Sequence, residues 1–198
     1  MEFISHRRNT IAQLKKTNVK YGIEVDIRSK DDDIIIHHDP FYSGENFIDW
    51  IKEYKHGTLI LNLKEEGLEE IIMNIMKKYN INNFFFLDQS FPFLIKTVKS
   101  GESRTAVRIS EFESIETAKL LSGKVDWVWI DCFSRFPLSN KSFQILKDCG
   151  FKICIVSPEL QGFDPKKEIA IYNKIFIEEK IIPDAICSKR IDLWEKLN

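Results

Sequence analysis

Eight short apolar runs, each followed by a stretch with helical spacing, divide this chain from end to end. Phe3 to Ser5, Tyr21 to Arg28, Thr58 to Lys64, Phe84 to Leu87, Arg104 to Ile109, Asp126 to Phe133, Phe151 to Val156 and Ala185 to Cys187 read as strands. Thr10 to Lys16, Phe47 to Tyr54, Leu68 to Lys78, Phe91 to Lys99, Ser114 to Leu121, Asn140 to Asp148, Asp164 to Lys180 and Arg190 to Leu197 read as helices, with Asn9 as the first N-cap. Regular strand-helix alternation predicts a parallel sheet with helices outside. The run Phe84-Phe85-Phe86-Leu87 has no polar alternate, the mark of a strand buried on both faces. Eight units with no strand left over predict an α/β fold, a single closed (β/α)8 barrel in one domain over residues 1–198. The rival, an open doubly wound sheet, wants a glycine-rich first turn. The first turn here is His6-Arg7-Arg8.

Composition narrows the function. Lys and Arg number 29 against 30 Asp and Glu, so no basic excess argues for nucleic acid. No apolar run approaches the ~20 residues of a membrane span. The start, MEFISHRRNT, lacks the apolar core of a signal peptide, so a cytoplasmic protein is expected. Cys132, Cys149, Cys154 and Cys187 show no CxxC spacing and sit among apolar residues, as reduced core cysteines do.

The stretch Tyr21 to Pro40 carries the densest chemistry. On its strand, Glu24, Asp26 and Arg28 alternate with Ile23, Val25 and Ile27, so the carboxylates share one face. Ser29 to Asp33 turns the chain and Ile34-Ile35-Ile36 brings it back to His37-His38-Asp39-Pro40. A hairpin of this form returns imidazoles towards two carboxylates. Asp31-Asp32-Asp33 at its tip reads as a solvated turn. In a barrel, functional groups gather where strands end at the C-terminal side. Reading those ends gives His6 and Arg7, then Glu24 and Asp26 with His38, then Asn62 and Lys64, then Asp88. Arg108, Trp129, Asp131 and Glu159 on the later strands are weaker pocket candidates, with Asp131 a partner for Arg108. Trp127 is assigned to the core and His37, pointing away from His38, to structure.

Glu24 and Asp26, with the Asn62 amide oxygen, offer hard oxygen ligands suited to Mg²⁺ or Ca²⁺, with Mn²⁺ a further candidate. Arg7 and Lys64 beside them imply an anionic substrate, most often phosphate. His6 and His38 would then flank that phosphate as general base and general acid.

The set His6-Arg7, Gly22-x-Glu24-x-Asp26, His38-Asp39 and Asn62-Leu63-Lys64 resembles the glycerophosphodiester phosphodiesterases, within the phospholipase-C-like phosphodiesterase TIM barrels. Arg8-Asn9-Thr10 resembles a compressed form of a further family motif, and Pro183 to Trp194 resembles its closing strand and helix. The resemblance implies His6 and His38 as the acid-base pair, Glu24 and Asp26 on a divalent cation, and Arg7 and Lys64 on the phosphate. It implies cleavage of a phosphodiester to a phosphomonoester and an alcohol. Two departures stand out. Asn62 replaces the family's usual glutamate, and only a loop and a short helix fit between Asp39 and Thr58. The expected pocket is therefore open, suited to a larger lipid- or glycan-linked phosphodiester. Two other outcomes are a phosphate-binding barrel without turnover, owing to Asn62, and lyase-type cleavage that gives a cyclic phosphate.

Overall fold

The structure, a computed structural model, describes residues 1–197. In chain order its elements are β1 (Glu2–Ser5), α1 (Ile11–Lys16), β2 (Gly22–Lys30), β3 (Asp33–Ile36), β4 (Glu45–Asn46), α2 (Phe47–Ile51), β5 (Leu59–Leu63), α3 (Glu69–Lys78), β6 (Phe84–Leu87) and α4 (Phe91–Lys99). There follow β7 (Ala106–Ile109), α5 (Ile115–Lys119), β8 (Trp127–Ile130), α6 (Asn140–Asp148), β9 (Lys152–Val156), a 3-10 turn (Pro158–Gln161), α7 (Pro165–Glu178), β10 (Ala185–Ser188) and α8 (Ile191–Trp194). All eight strands read from the sequence are present, and the fold is mixed α/β. It divides into two compact units: an N-terminal unit, Ser5–Thr105, and a C-terminal unit, Ala106–Asn198 joined by Met1–Ile4.

In the N-terminal unit β2 is the centre. It pairs in parallel with β5, with Asp26 beside Asn62, and β5 pairs in parallel with β6. On its other side it pairs with β3 as an antiparallel hairpin, extended by the two-residue β4. Odd-numbered Ile23, Val25, Ile27, Leu59, Leu61 and Leu63 join Leu14, Phe47, Trp50, Ile72 and Met76 in one apolar core. This is the period-two alternation of strands meeting the i, i+3, i+4 stripes of helices. The alternates Glu24, Asp26, Ile60, Asn62 and Phe85 are equally buried, on the opposite face of the sheet. Burying two carboxylates is costly unless partners are supplied, so that face must carry them.

In the C-terminal unit the strand order is β7-β8-β9-β10-β1. The pairs β7–β8, β8–β9 and β9–β10 are parallel. β1 is held beside β10 from its start, where the Glu2 N–H donates to the Asp184 carbonyl at 2.7 Å. Phe136, Tyr172, Phe176 and Trp194 form an aromatic group under α7 and α8, with centroids 5.4 to 5.7 Å apart along the chain Tyr172–Phe136–Phe176–Trp194. The cysteines are free. Cys132, Cys154 and Cys187 are buried and Cys149 half-buried, and burial pushes the Cys132 thiol up to about 12.

Several helix boundaries change; α2, for one, ends at Ile51 rather than Tyr54. The first helix starts at Ile11 with Thr10, not Asn9, as its N-cap: Thr10 accepts from the Gln13 N–H and Gln13 caps Thr10 in return. Asn9 is thereby free to face β2. The last helix ends at Trp194 rather than Leu197.

Candidate active site

β2 delivers Glu24 and Asp26 side by side, and the segment after β1 closes over them. Arg7 has φ 52°, a left-handed conformation that costs a non-glycine residue roughly 1–2 kcal/mol. That turn brings the Arg7 backbone N–H onto Glu24 Oε2 at 2.7 Å and sets the guanidinium Nε 3.4 Å from Asp26 Oδ2. His6 Nε2 lies 3.6 Å from Glu24 Oε2. Asn9 donates from Nδ2 to Asp26 Oδ2 at 2.8 Å and its Oδ1 accepts the Asp26 backbone N–H. From β5, Asn62 Nδ2 donates to Glu24 Oε1 at 2.9 Å. The Lys64 ammonium stands 3.4 Å from Asp26 Oδ1 and donates to Asp88 at 3.2 Å.

Burial, and after it the charge of Asp26, pushes the Glu24 carboxyl up to about 7, against the pull of Asn62, Arg7 and Lys64. Desolvation and a like charge both disfavour its ionised form. Two buried oxygens, Asn62 Oδ1 and Asp26 Oδ1, accept no hydrogen bond. Buried acceptors nearly always have partners, and a hard cation is one such partner. Among the described residues no three of His, Cys, Asp and Glu are close enough to hold a metal by themselves. A cation here would draw on Glu24, Asp26 and the Asn62 oxygen, with water or substrate filling the rest. The donor chemistry fits that demand.

His38 lines an open cavity of about 470 Å³, together with Arg7, Asn9, Ile36, His37 and Asp39. Among the described residues no hydrogen bond or ion pair joins His38 to Glu24 or Asp26. Its Nδ1 meets Asp39 Oδ1 at 2.8 Å, a contact that holds Asp39 below the usual carboxylate range. An imidazole with a carboxylate on Nδ1 is fixed in orientation. His37 does not turn away as expected. β3 ends at Ile36, so strand alternation no longer governs the next residue, and His37 lines the same cavity, stacked 5.0 Å from Tyr42.

Two residues that the sequence reading left out, Arg28 and Asn9, join the site, and Asp88, placed there without a role, gains one. Arg28 donates to the His38 carbonyl from Nε (3.1 Å) and Nη2 (2.9 Å), and to the Lys64 carbonyl from Nη1 (3.3 Å). One guanidinium thus ties the backbones of a candidate acid and a candidate phosphate ligand. Its place two residues beyond Asp26 on the same strand face was the available signal. Asn9 was hidden by its resemblance to a cap. Asp88, at φ 62° just past β6, holds Lys64.

The candidates of the C-terminal unit are tied to neighbours within that unit. Asp131 Oδ2 accepts from Trp129 Nε1 at 3.2 Å and lies 3.3 Å from Arg108 Nε, as anticipated for that pair, and its Oδ1 accepts from Gln161 at 2.6 Å. Glu159 accepts from Ser157, from Ser188 at 2.7 Å and from the Lys189 N–H at 2.9 Å. Trp127 and Trp129 are both buried.

With this geometry in place, solved structures give the decisive likeness. A glycerophosphodiester phosphodiesterase from Agrobacterium tumefaciens str. C58 matches with TM-score 0.67 at 14% identity, over 99% of this chain and 98% of that one. A glycerophosphoryl diester phosphodiesterase from Parabacteroides distasonis ATCC 8503 matches with TM-score 0.69 at 14% identity, over 98% of this chain and 85% of that one. The fold is that of the glycerophosphodiester phosphodiesterases. No protein-family model and no curated protein sequence matches the chain.

Proposed function

We propose that the protein is a metal-dependent phosphodiesterase that cleaves a phosphodiester to a phosphomonoester and an alcohol. The observation that carries this reading is the convergence of His6, Arg7, Glu24, Asp26, Asn62 and Lys64, from three segments far apart in the chain, in one net of contacts. The likeness to phosphodiesterases supports it, and with it goes the single closed (β/α)8 barrel of the sequence reading. His6 takes the proton of the attacking water as its oxygen adds to phosphorus. His38, held by Asp39, gives a proton to the departing alkoxide. Arg7 and Lys64 meet the charge on the non-bridging oxygens. A divalent cation on Glu24, Asp26 and Asn62, when bound, would supply Lewis-acid stabilisation of that same charge. The open cavity and the short Asp39 to Thr58 segment suit a diester with a bulky lipid or glycan group.

A second reading has its own observation. Asn62 presents its N–H, not its oxygen, to Glu24. An amide so turned favours a barrel that binds phosphate without turning it over. Release of nitrophenol from bis(p-nitrophenyl) phosphate, measured with EDTA and then with Mg²⁺, Mn²⁺ or Ca²⁺, separates the two. Cation-stimulated release is expected; none across a panel of diesters would leave the binder. Phosphorus NMR of the products distinguishes a monoester from a cyclic phosphate. Asn62→Glu should tighten cation binding in calorimetry, and unchanged affinity would remove Asn62 from the ligand set.

A further inference from the structure

The loop that follows His38 holds aromatic surface out in water. Phe41 is wholly exposed and Tyr42 is 63% exposed. Phe41 has φ 68°, a left-handed backbone unfavourable for a bulky residue. The loop is built to keep it there. Gly44 lies so close to β3 that a Cβ would fall 2.2 Å from the Ile36 carbonyl oxygen, and Lys30 reaches across to Ser43. Tyr42 stacks on His37, in the lining of the candidate cavity. Such surface normally avoids water, and a rigid apolar projection beside a binding site marks a contact with something apolar.

The C-terminal unit, taken by itself, repeats the device. Phe112 is 80% exposed and Phe133 is 40% exposed, with centroids 6.2 Å apart. They lie on the loops after β7 and β8. Glu111 clamps those loops together by accepting the backbone N–H groups of Phe133 (3.1 Å), Ser134 (2.5 Å) and Arg135 (2.7 Å).

Size and charge select the partner. Each aromatic side chain can bury ~150–250 Å², so a pair falls short of the ~800 Å² that a stable protein interface buries on each side. The Phe41 loop carries the exposed carboxylate Asp39 and follows the exposed Asp31, Asp32 and Asp33, against the two cations Lys30 and Arg7. That balance opposes nucleic acid and acidic membranes. Aromatic side chains of this kind seat well at a lipid–water boundary.

We propose that Phe41–Tyr42 in the N-terminal unit and, independently, Phe112–Phe133 in the C-terminal unit are each an anchor for a zwitterionic phospholipid surface, and that the diester reaching the candidate site is borne by a membrane lipid. The second half of this statement rests on the phosphodiesterase reading; the first does not.

The test is flotation of the full chain with phosphatidylcholine vesicles, alongside nitrophenol release from the soluble diester. The wild type should float with vesicles of phosphatidylcholine alone, at low and high salt. Phe41→Ser should weaken partitioning about tenfold, Phe112→Ser comparably, and both should leave soluble-diester turnover unchanged. Added phosphatidylserine should not strengthen binding. Wild type that stays with the protein fraction, Phe41→Ser that floats like wild type, or binding that needs phosphatidylserine and disappears in salt would each overturn the anchor. Flotation without nitrophenol release would sink the phosphodiesterase reading and uphold the anchor; release without flotation would do the reverse.

Discussion

The two units place polar side chains on or just past parallel strands, and treat them differently. In the C-terminal unit Asp131 and Glu159 are saturated: each oxygen of Asp131 has a donor, and Glu159 accepts from Ser157, Ser188 and Lys189. In the N-terminal unit, Asn62 Oδ1 accepts no hydrogen bond, Asp26 Oδ1 has only the Lys64 ammonium at 3.4 Å, and Glu24 is pushed up to about 7. Saturated buried polar groups hold loops in place; buried groups left short of partners are held ready for a ligand. On the proposed function, the contrast would put chemistry in the first half of the chain and scaffolding in the second.

The largest expected effect tests that assignment directly. His38→Ala should lower turnover ~10²–10⁴-fold, the usual share of a general acid. Its melting temperature should hardly move, because the His38 carbonyl, and not the imidazole, anchors Arg28. Asp131→Ala should do the opposite. It strips an acceptor from buried Trp129 and from Arg108 and Gln161, at a cost of ~1–3 kcal/mol of stability. Turnover should persist. Wild-type rates in His38→Ala, or lost turnover in a folded Asp131→Ala, would reverse the roles of the halves.

A smaller effect is expected at Arg28. It touches no reacting atom; it fixes the carbonyls of His38 and Lys64 through separate nitrogens. Arg28→Met should reduce kcat about tenfold by loosening the positions of both residues, with little change in KM. Arg28→Lys should not rescue it, since one ammonium cannot reproduce the fork. A loss confined to KM would show that Arg28 acts on substrate binding instead.

Arg28 also shows how far the sequence reaches. Period-two alternation placed Glu24, Asp26 and Arg28 on one face, and strand-helix rhythm located the eight strands it named, because both depend on local spacing alone. The role of Arg28 depends on where β3 and β5 end in space, and spacing does not carry that. Asn9 was misread for a related reason: Asn and Thr are both good caps, and only the turn at Arg7 decides which one faces β2. His37 escaped the alternation rule because the strand stopped one residue before it. The identities of the site residues were local information; their connections were tertiary.

The smallest effect lies in the C-terminal unit, at Glu111. Burial alone would raise its pKa, but backbone N–H groups and the Ser134 hydroxyl overcome this and hold it at about 2, against an ordinary 4.5. A carboxylate with its folded pKa depressed contributes stability above its unfolded pKa. That contribution is lost as pH falls from about 4.5 towards 2. Glu111→Gln keeps one acceptor and removes the charge, so its melting temperature should fall less steeply across that window than the wild type's. Glu111 is only half-buried, and screening keeps the difference small. Parallel acid limbs for the two proteins would mean that the clamp on Phe133 to Arg135 holds without the charge, and that this unit stores no electrostatic stability in its loops.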